Sequence, residues 1–258
     1  MKNKTTPSFL YILPNLFTMS SLFAGFYAIT LLSSPANKWT FIYAGFALLF
    51  ATICDMLDGR VARMTGTQSD FGMQMDSLVD LVSFGIAPAL LVYKWGLADF
   101  GFWGLLVAFS FAGAGACRLA RFNVMEMQKK TGGASRHFVG LPIPLAAGML
   151  ISTIIYHEVS TGSALYKNSS FGILGLTVVL SYLMVSTIRF RTFKDIRINP
   201  QSLAVIAVVM GFAIFGAVAF SPAFSLVTLF AIYVAGGLLA EVVGYCGRLL
   251  RGVRVTSR

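Results

Sequence analysis

The 258-residue chain is 57% hydrophobic and 12% charged, with a mean hydropathy of +0.77 and a formal net charge of +10. Ordinary globular chains carry about 25% charged residues, so this composition excludes a soluble enzyme and leaves no room for a sizeable soluble domain. In a chain this apolar, Lys and Arg mark cytoplasmic loops rather than a nucleic-acid surface, and no nucleic-acid partner is expected.

A membrane helix needs roughly 20 mostly apolar residues. Eight apolar segments follow one another near 9–32, 39–57, 73–94, 101–120, 140–157, 169–189, 202–220 and 223–246. The first follows Lys2 and Lys4 and so imitates a signal peptide. It exceeds the usual h-region of about 7–15 residues and lacks a small-residue cleavage site, so it is expected to be retained as a membrane helix. Segments seven and eight are joined by a short turn around Ser221 and Pro222, which predicts antiparallel neighbours.

Eight spans place both termini on one side of the membrane. The loops and ends on that side hold 17 of the Lys and Arg residues, against three (Lys38, Lys94 and Lys167) on the other. This asymmetry predicts cytoplasmic termini. The expected fold is therefore an all-α, polytopic membrane helix bundle of about eight transmembrane helices, forming one integral membrane domain over residues 1–258. Within it, a hairpin over about 39–95 carries the candidate chemistry, and additional C-terminal helices run over about 169–246. The polar connection 122–137 reads as a mobile loop, and the Arg189, Arg191, Lys194 and Arg197 cluster as a site attracting anionic lipid. Cys54, Cys117 and Cys246 show no metal-ligand spacing and read as reduced packing thiols. No internal repeat supports an inverted-repeat transporter.

Five of the ten acidic residues fall between Cys54 and Asp80. Asp55 and Asp58 are three apart and share a face at the end of the second segment. Asp76 and Asp80 are four apart and share a face early in the third. A short turn containing Gly66 and Thr67 makes the two segments a hairpin, so the two pairs can face each other. Asp70 lies off this pattern and reads as a solvated loop residue. Ionisable side chains in membrane helices are costly and functional by default. Too few bases lie nearby to neutralise four carboxylates as a structural ion-pair network. Hard cations such as Mg²⁺ or Mn²⁺, two of them in the recurring phosphoryl-transfer clamp, would relieve their repulsion. Gly59, Ala62 and Gly72 would let backbones or a ligand approach closely. Arg63 sits where it could meet phosphate oxygens, as does Arg60, which reads first as a membrane-face anchor.

The pattern Asp55-x2-Asp58-Gly59-x2-Ala62-Arg63-x8-Gly72-x3-Asp76-x3-Asp80 resembles the signature of the CDP-alcohol phosphotransferases at all eight defined positions. The resemblance implies a membrane enzyme, usually homodimeric. In it Asp55, Asp58 and Asp76 would coordinate metal holding the CDP pyrophosphate. Asp80 would be the general base and could also touch a second metal. Gly59, Ala62 and Gly72 would line the nucleotide pocket, with Asp58 and Arg63 beside the phosphates.

Three further segments resemble the phosphatidylserine-forming branch of that family: Leu13-Pro14-Asn15-Leu16-Phe17-Thr18, Arg118-Leu119-Ala120-Arg121-Phe122-Asn123, and Phe138-x-Gly140-Leu141-Pro142-x-Pro144. They imply CDP-diacylglycerol and L-serine as substrates. The resemblance covers about residues 10–150. Arg118 and Arg121 share one helical face, where they could hold the lipid phosphate or the serine carboxylate, or anchor the membrane face. Asn123 and Asn15 could hydrogen-bond ligand, Asn15 at the nucleotide, or cap helices. Pro142 and Pro144 would shape the entry to the fifth segment. His137 reads as an interface residue, and His157 lies too far from the acids to act. The expected location is the cytoplasmic (inner) membrane, with the site at its cytoplasmic face.

Rival readings are another acceptor (glycerol 3-phosphate or inositol), a membrane prenyltransferase with Asp-rich metal sites, and a divalent-cation transporter. The prenyltransferase would not predict the Gly-x2-Ala-Arg spacer. The transporter predicts acids near mid-membrane on several helices, whereas these cluster at one end of a hairpin.

Overall fold

The computed structural model describes residues 9–130, 140–160, 166–188, 224, 227–232 and 234–236. Among them there is no strand. The elements are α1 (Phe9–Ser33), α2 (Lys38–Thr65), α3 (Asp70–Asp80), α4 (Ala87–Val92), α5 (Gly101–Lys130), α6 (Ile143–Ser160) and α7 (Tyr166–Val185). π-helical turns over Leu81–Ile86 and Tyr93–Leu97, and a 3-10 turn over Ala98–Phe100, join α3 to α4 and α4 to α5.

Among the described residues, four helical runs are long and apolar enough to cross a membrane: Pro14–Ser33, Lys38–Thr65, Asp70–Gln128 and Ile143–Ser160. The third, at 59 residues, would be about 90 Å long if straight, far beyond a hydrocarbon core of about 30 Å. It reverses at Gly101, whose φ of 57° and ψ of −129° suit a residue without a side chain. Past this corner α5 packs back along the preceding run, so that Asn123 reaches Ser77. Each of the first six predicted segments is thus a helical element, although the apolar part of α7, Ser170–Val185, is shorter than a full span. Segment seven, most of segment eight, both chain ends and the 189–197 basic cluster lie outside the described residues.

Helix ends follow local chemistry. Asn37 caps α2 by accepting from the Thr40 amide at 3.0 Å, while its own amide donates to Thr40 Oγ1 at 3.2 Å, a reciprocal capping box. α2 runs two turns beyond the expected 57 and stops at Gly66, in the left-handed conformation with φ 66°. Ser69 then caps α3, accepting from the Gly72 amide at 3.0 Å. Asp70 is therefore the exposed first residue of α3, not a loop residue, where a carboxylate suits the positive helix terminus. Likewise 122–130, expected as loop, is the last part of α5; 131–139 lies outside the described residues.

The core is a continuous cluster in which Leu32, Leu48, Phe84, Leu91, Phe111, Leu150 and Ile154 are fully buried. Helices in lipid gain little from expelling water and associate through close packing and small residues. A β-carbon on Gly45 would lie 2.8 Å from the Ile155 side chain, so α2 meets α6 closely there. On α2 the buried positions Phe41, Ala44, Gly45, Leu48, Ala51 and Cys54 form one stripe that runs directly into Asp58. Packing of the stripe therefore fixes which way the acidic end of α2 faces.

Candidate active site

The hairpin turn brings the acidic ends of α2 and α3 together. Carboxylate oxygens of Asp55, Asp76 and Asp80 lie within 4.8 Å of one another. Asp55 and Asp76 are half-buried and Asp80 is 8% exposed. Asp76 Oδ1 and Asp80 Oδ1 are buried without a hydrogen-bond partner. Buried polar oxygens are normally satisfied, and three convergent carboxylates repel. This donor set fits a hard divalent cation, for which all-oxygen ligands are preferred.

Asp58, one turn along α2, stands apart from that trio. It is 6% exposed, and its Oδ2 accepts a 2.7 Å hydrogen bond from Thr18 Oγ1 of α1. Asn15, one turn before Thr18, is exposed.

The two signature glycines differ in the room around them. Among the described residues, a β-carbon on Gly59 would meet only Arg63 Nη1, at 3.9 Å, and one on Gly72 only Ser69 Oγ, at a tight 3.2 Å. No other helix among the described residues comes within 4 Å of either position. Ala62 is half-buried near the end of α2, and Arg63 is exposed beside Gly59.

The α5 residues divide their tasks. Arg118 is half-buried, within electrostatic range of Asp55 and Asp80, and lies 6.0 Å from the Phe122 ring centre. Arg121 donates from Nη1 to the Val185 carbonyl at 3.0 Å, at the end of α7. Asn123 is buried: its Nδ2 donates to Gln74 Oε1 and its Oδ1 accepts from Ser77 Oγ, both at 3.0 Å. Both ends of this amide thus stitch α5 to the α3 turn that carries Asp76.

Two features went unassigned in the sequence. Thr18 was visible only as part of a resembling segment; a hydroxyl in an apolar helix was its one signal. Glu158 on α6, 1% exposed, accepts from Trp95 Nε1 at 2.8 Å; a carboxylate inside an apolar segment was the signal there. His157 packs edge-on against Trp95, with ring centres 4.9 Å apart. Trp95 lies fifteen residues past Asp80 on the same helical run, roughly 20 Å away at about 1.5 Å per residue, so His157 is remote from the acids.

An α-helical bundle with membrane-length helices and an acidic hairpin whose carboxylates could hold a metal ion defines the class, and comparison agrees. The family model for CDP-alcohol phosphatidyltransferases matches residues 11–183, and the chain belongs to that family. Among its relatives is a CDP-diacylglycerol–serine O-phosphatidyltransferase of Helicobacter pylori, 40% identical over 194 residues, 74% of this chain and 76% of the relative. An archaetidylserine synthase of Methanothermobacter thermautotrophicus is 35% identical over 74% of this chain and 73% of its own. A CDP-diacylglycerol–serine O-phosphatidyltransferase of Methanocaldococcus jannaschii is 34% identical over 84% of this chain and 89% of its own.

Proposed function

We propose that this protein transfers the phosphatidyl group of CDP-diacylglycerol to the hydroxyl of L-serine, forming phosphatidylserine and CMP. The observation that carries the reading is the convergence of Asp55, Asp76 and Asp80 within a complete family signature. The names of the relatives support serine as acceptor.

Asp55, Asp76 and Asp80, with Asp58 beside them, would hold Mg²⁺ or Mn²⁺, two ions in the full site. Bound there, the metal would neutralise the pyrophosphate and stabilise CMP as leaving group. The lipid enters sideways from the cytoplasmic leaflet with its tails in the bilayer. Its nucleotide occupies the space over Gly59, Ala62 and Gly72, with Asn15 and Arg63 at its edge. Arg118 faces the lipid phosphate or the serine carboxylate; Arg121 and Asn123 hold the helices that frame this acceptor side. Asp80, with a buried oxygen free of hydrogen bonds, takes the serine hydroxyl proton. The serine oxygen–phosphorus bond forms as the phosphorus–oxygen bond to CMP breaks, and the proton passes to solvent. The reading includes a homodimer in the cytoplasmic membrane, both termini and the site at the cytoplasmic face, and one domain over residues 1–258.

Purified protein given CDP-diacylglycerol and Mn²⁺ or Mg²⁺ should release CMP when L-serine is added. Release with glycerol 3-phosphate or inositol, and none with serine, would overturn the acceptor. The archaetidylserine synthase relative makes the matching ether-linked donor the second lipid to test.

A further inference from the structure

Thr18, Ser21 and Gly25 follow one another at helical spacing on one buried face of α1, a helix that carries no acid. Thr18 touches α2, and Ser21 and Gly25 touch the π turn that follows α3. Thr18 Oγ1 lies 2.7 Å from Asp58 Oδ2 on α2. The Ser21 carbonyl accepts from Ser83 Oγ at 3.0 Å, three residues beyond Asp80. At Gly25 a β-carbon would come within 2.9 Å of the Ser83 α-carbon, so α1 and the π turn after α3 are in backbone contact. One face of α1 therefore packs against both α2 and the π turn that follows α3.

The Thr18 hydroxyl has one proton and two acceptors in reach, Asp58 Oδ2 and its own-helix carbonyl of Pro14 at 3.2 Å. The carboxylate is nearer, and hydrogen bonds to charged acceptors are the stronger ones, so the proton goes to Asp58. That engages Oδ2 from a neighbouring helix, beside the hydrogen bond that the carboxylate accepts from the Gly59 backbone amide.

We infer that Thr18 is a positioning residue whose hydroxyl, reaching across from α1, holds Asp58 in the orientation from which it serves the phosphotransfer site. The inference rests on the proposed function only for Asp58 being a ligand of metal or pyrophosphate. Outer partners of ligating carboxylates commonly contribute about 10–100-fold in metal affinity.

The test compares wild type, Thr18→Val and Thr18→Ser. Mn²⁺ affinity is read by electron paramagnetic resonance on purified protein with CDP, without serine, and the Mn²⁺ concentration for half-maximal CMP release is read separately. Thr18→Val should weaken Mn²⁺ by about tenfold or more, and Thr18→Ser should return it to near wild type. A folded Thr18→Val with unchanged Mn²⁺ dependence in both readouts would overturn the inference. Should Thr18→Val not fold, Thr18→Ala, which removes the hydroxyl without adding a methyl clash, takes its place. The two ideas fail separately. Thr18-dependent Mn²⁺ binding without serine-dependent CMP release upholds Thr18 and removes the acceptor. Serine-dependent release indifferent to Thr18 does the reverse.

Discussion

Arg121 donates to the backbone carbonyl of Val185 at 3.0 Å, tying α5 to the last residue of α7. Helix C-termini leave carbonyls without partners, and a basic side chain satisfies one while complementing the negative helix end. Arg118, one turn earlier, lies instead within electrostatic range of Asp55 and Asp80. Two arginines that look equivalent by spacing therefore differ in what each holds. Arg118→Gln should lower kcat/KM by about 100-fold or more, the scale of losing one charge-stabilising donor in a closed site. Arg121→Gln should instead lower the melting temperature in detergent, by the equivalent of about 1 kcal/mol, with kcat/KM close to wild type. Steady-state kinetics and thermal unfolding on the same preparations check the split; equal kinetic losses would reject it.

Gly59→Ala separates ligand space from helix packing. Among the described residues a β-carbon there meets nothing nearer than 3.9 Å, and Ala in a helix interior is favoured over Gly by roughly 0.5–1 kcal/mol. The variant should be at least as stable as wild type, yet show a higher KM for CDP-diacylglycerol, because the methyl group would enter the proposed nucleotide site. Destabilisation without a change in KM would mean that the glycine serves packing.

Asp80→Asn retains the shape of the trio and tests the proposed general base. Turnover should fall by about 10²–10⁴-fold, the usual contribution of a positioned general base, while CDP binding with Mn²⁺ persists at reduced affinity. Rapid-quench measurement of one turnover, alongside CDP binding by calorimetry, checks this. Near-normal turnover would remove Asp80 from its role.

Much of this was readable in the chain itself. Carboxylate spacing placed Asp55 beside Asp58 and Asp76 beside Asp80, and the Gly66-Thr67 turn placed the pairs on one hairpin, because helical periodicity and a left-handed glycine cap are local properties. Helix lengths were less readable. Hydropathy ends where apolar residues end, but α2 continues through Arg60, Ala62 and Arg63, and α5 through 122–130. Helix-forming polar residues extend a helix beyond the apolar layer at little cost. The π turns after Asp80 leave no periodic signature. Tertiary pairings were least readable: that Asn123 serves Gln74 and Ser77, or that Thr18 meets Asp58 forty residues away, depends on how helices stack rather than on any spacing along one of them.

The most direct test of the central claim follows labelled serine into lipid. Purified wild type and Asp76→Asn would be incubated with CDP-diacylglycerol, Mn²⁺ and carbon-14 L-serine, counting organic-phase label against CMP formed. The account predicts one labelled lipid per CMP for wild type, abolished by chelation and nearly absent in Asp76→Asn. CMP formed without label entering lipid, or label entering equally in Asp76→Asn, would contradict it.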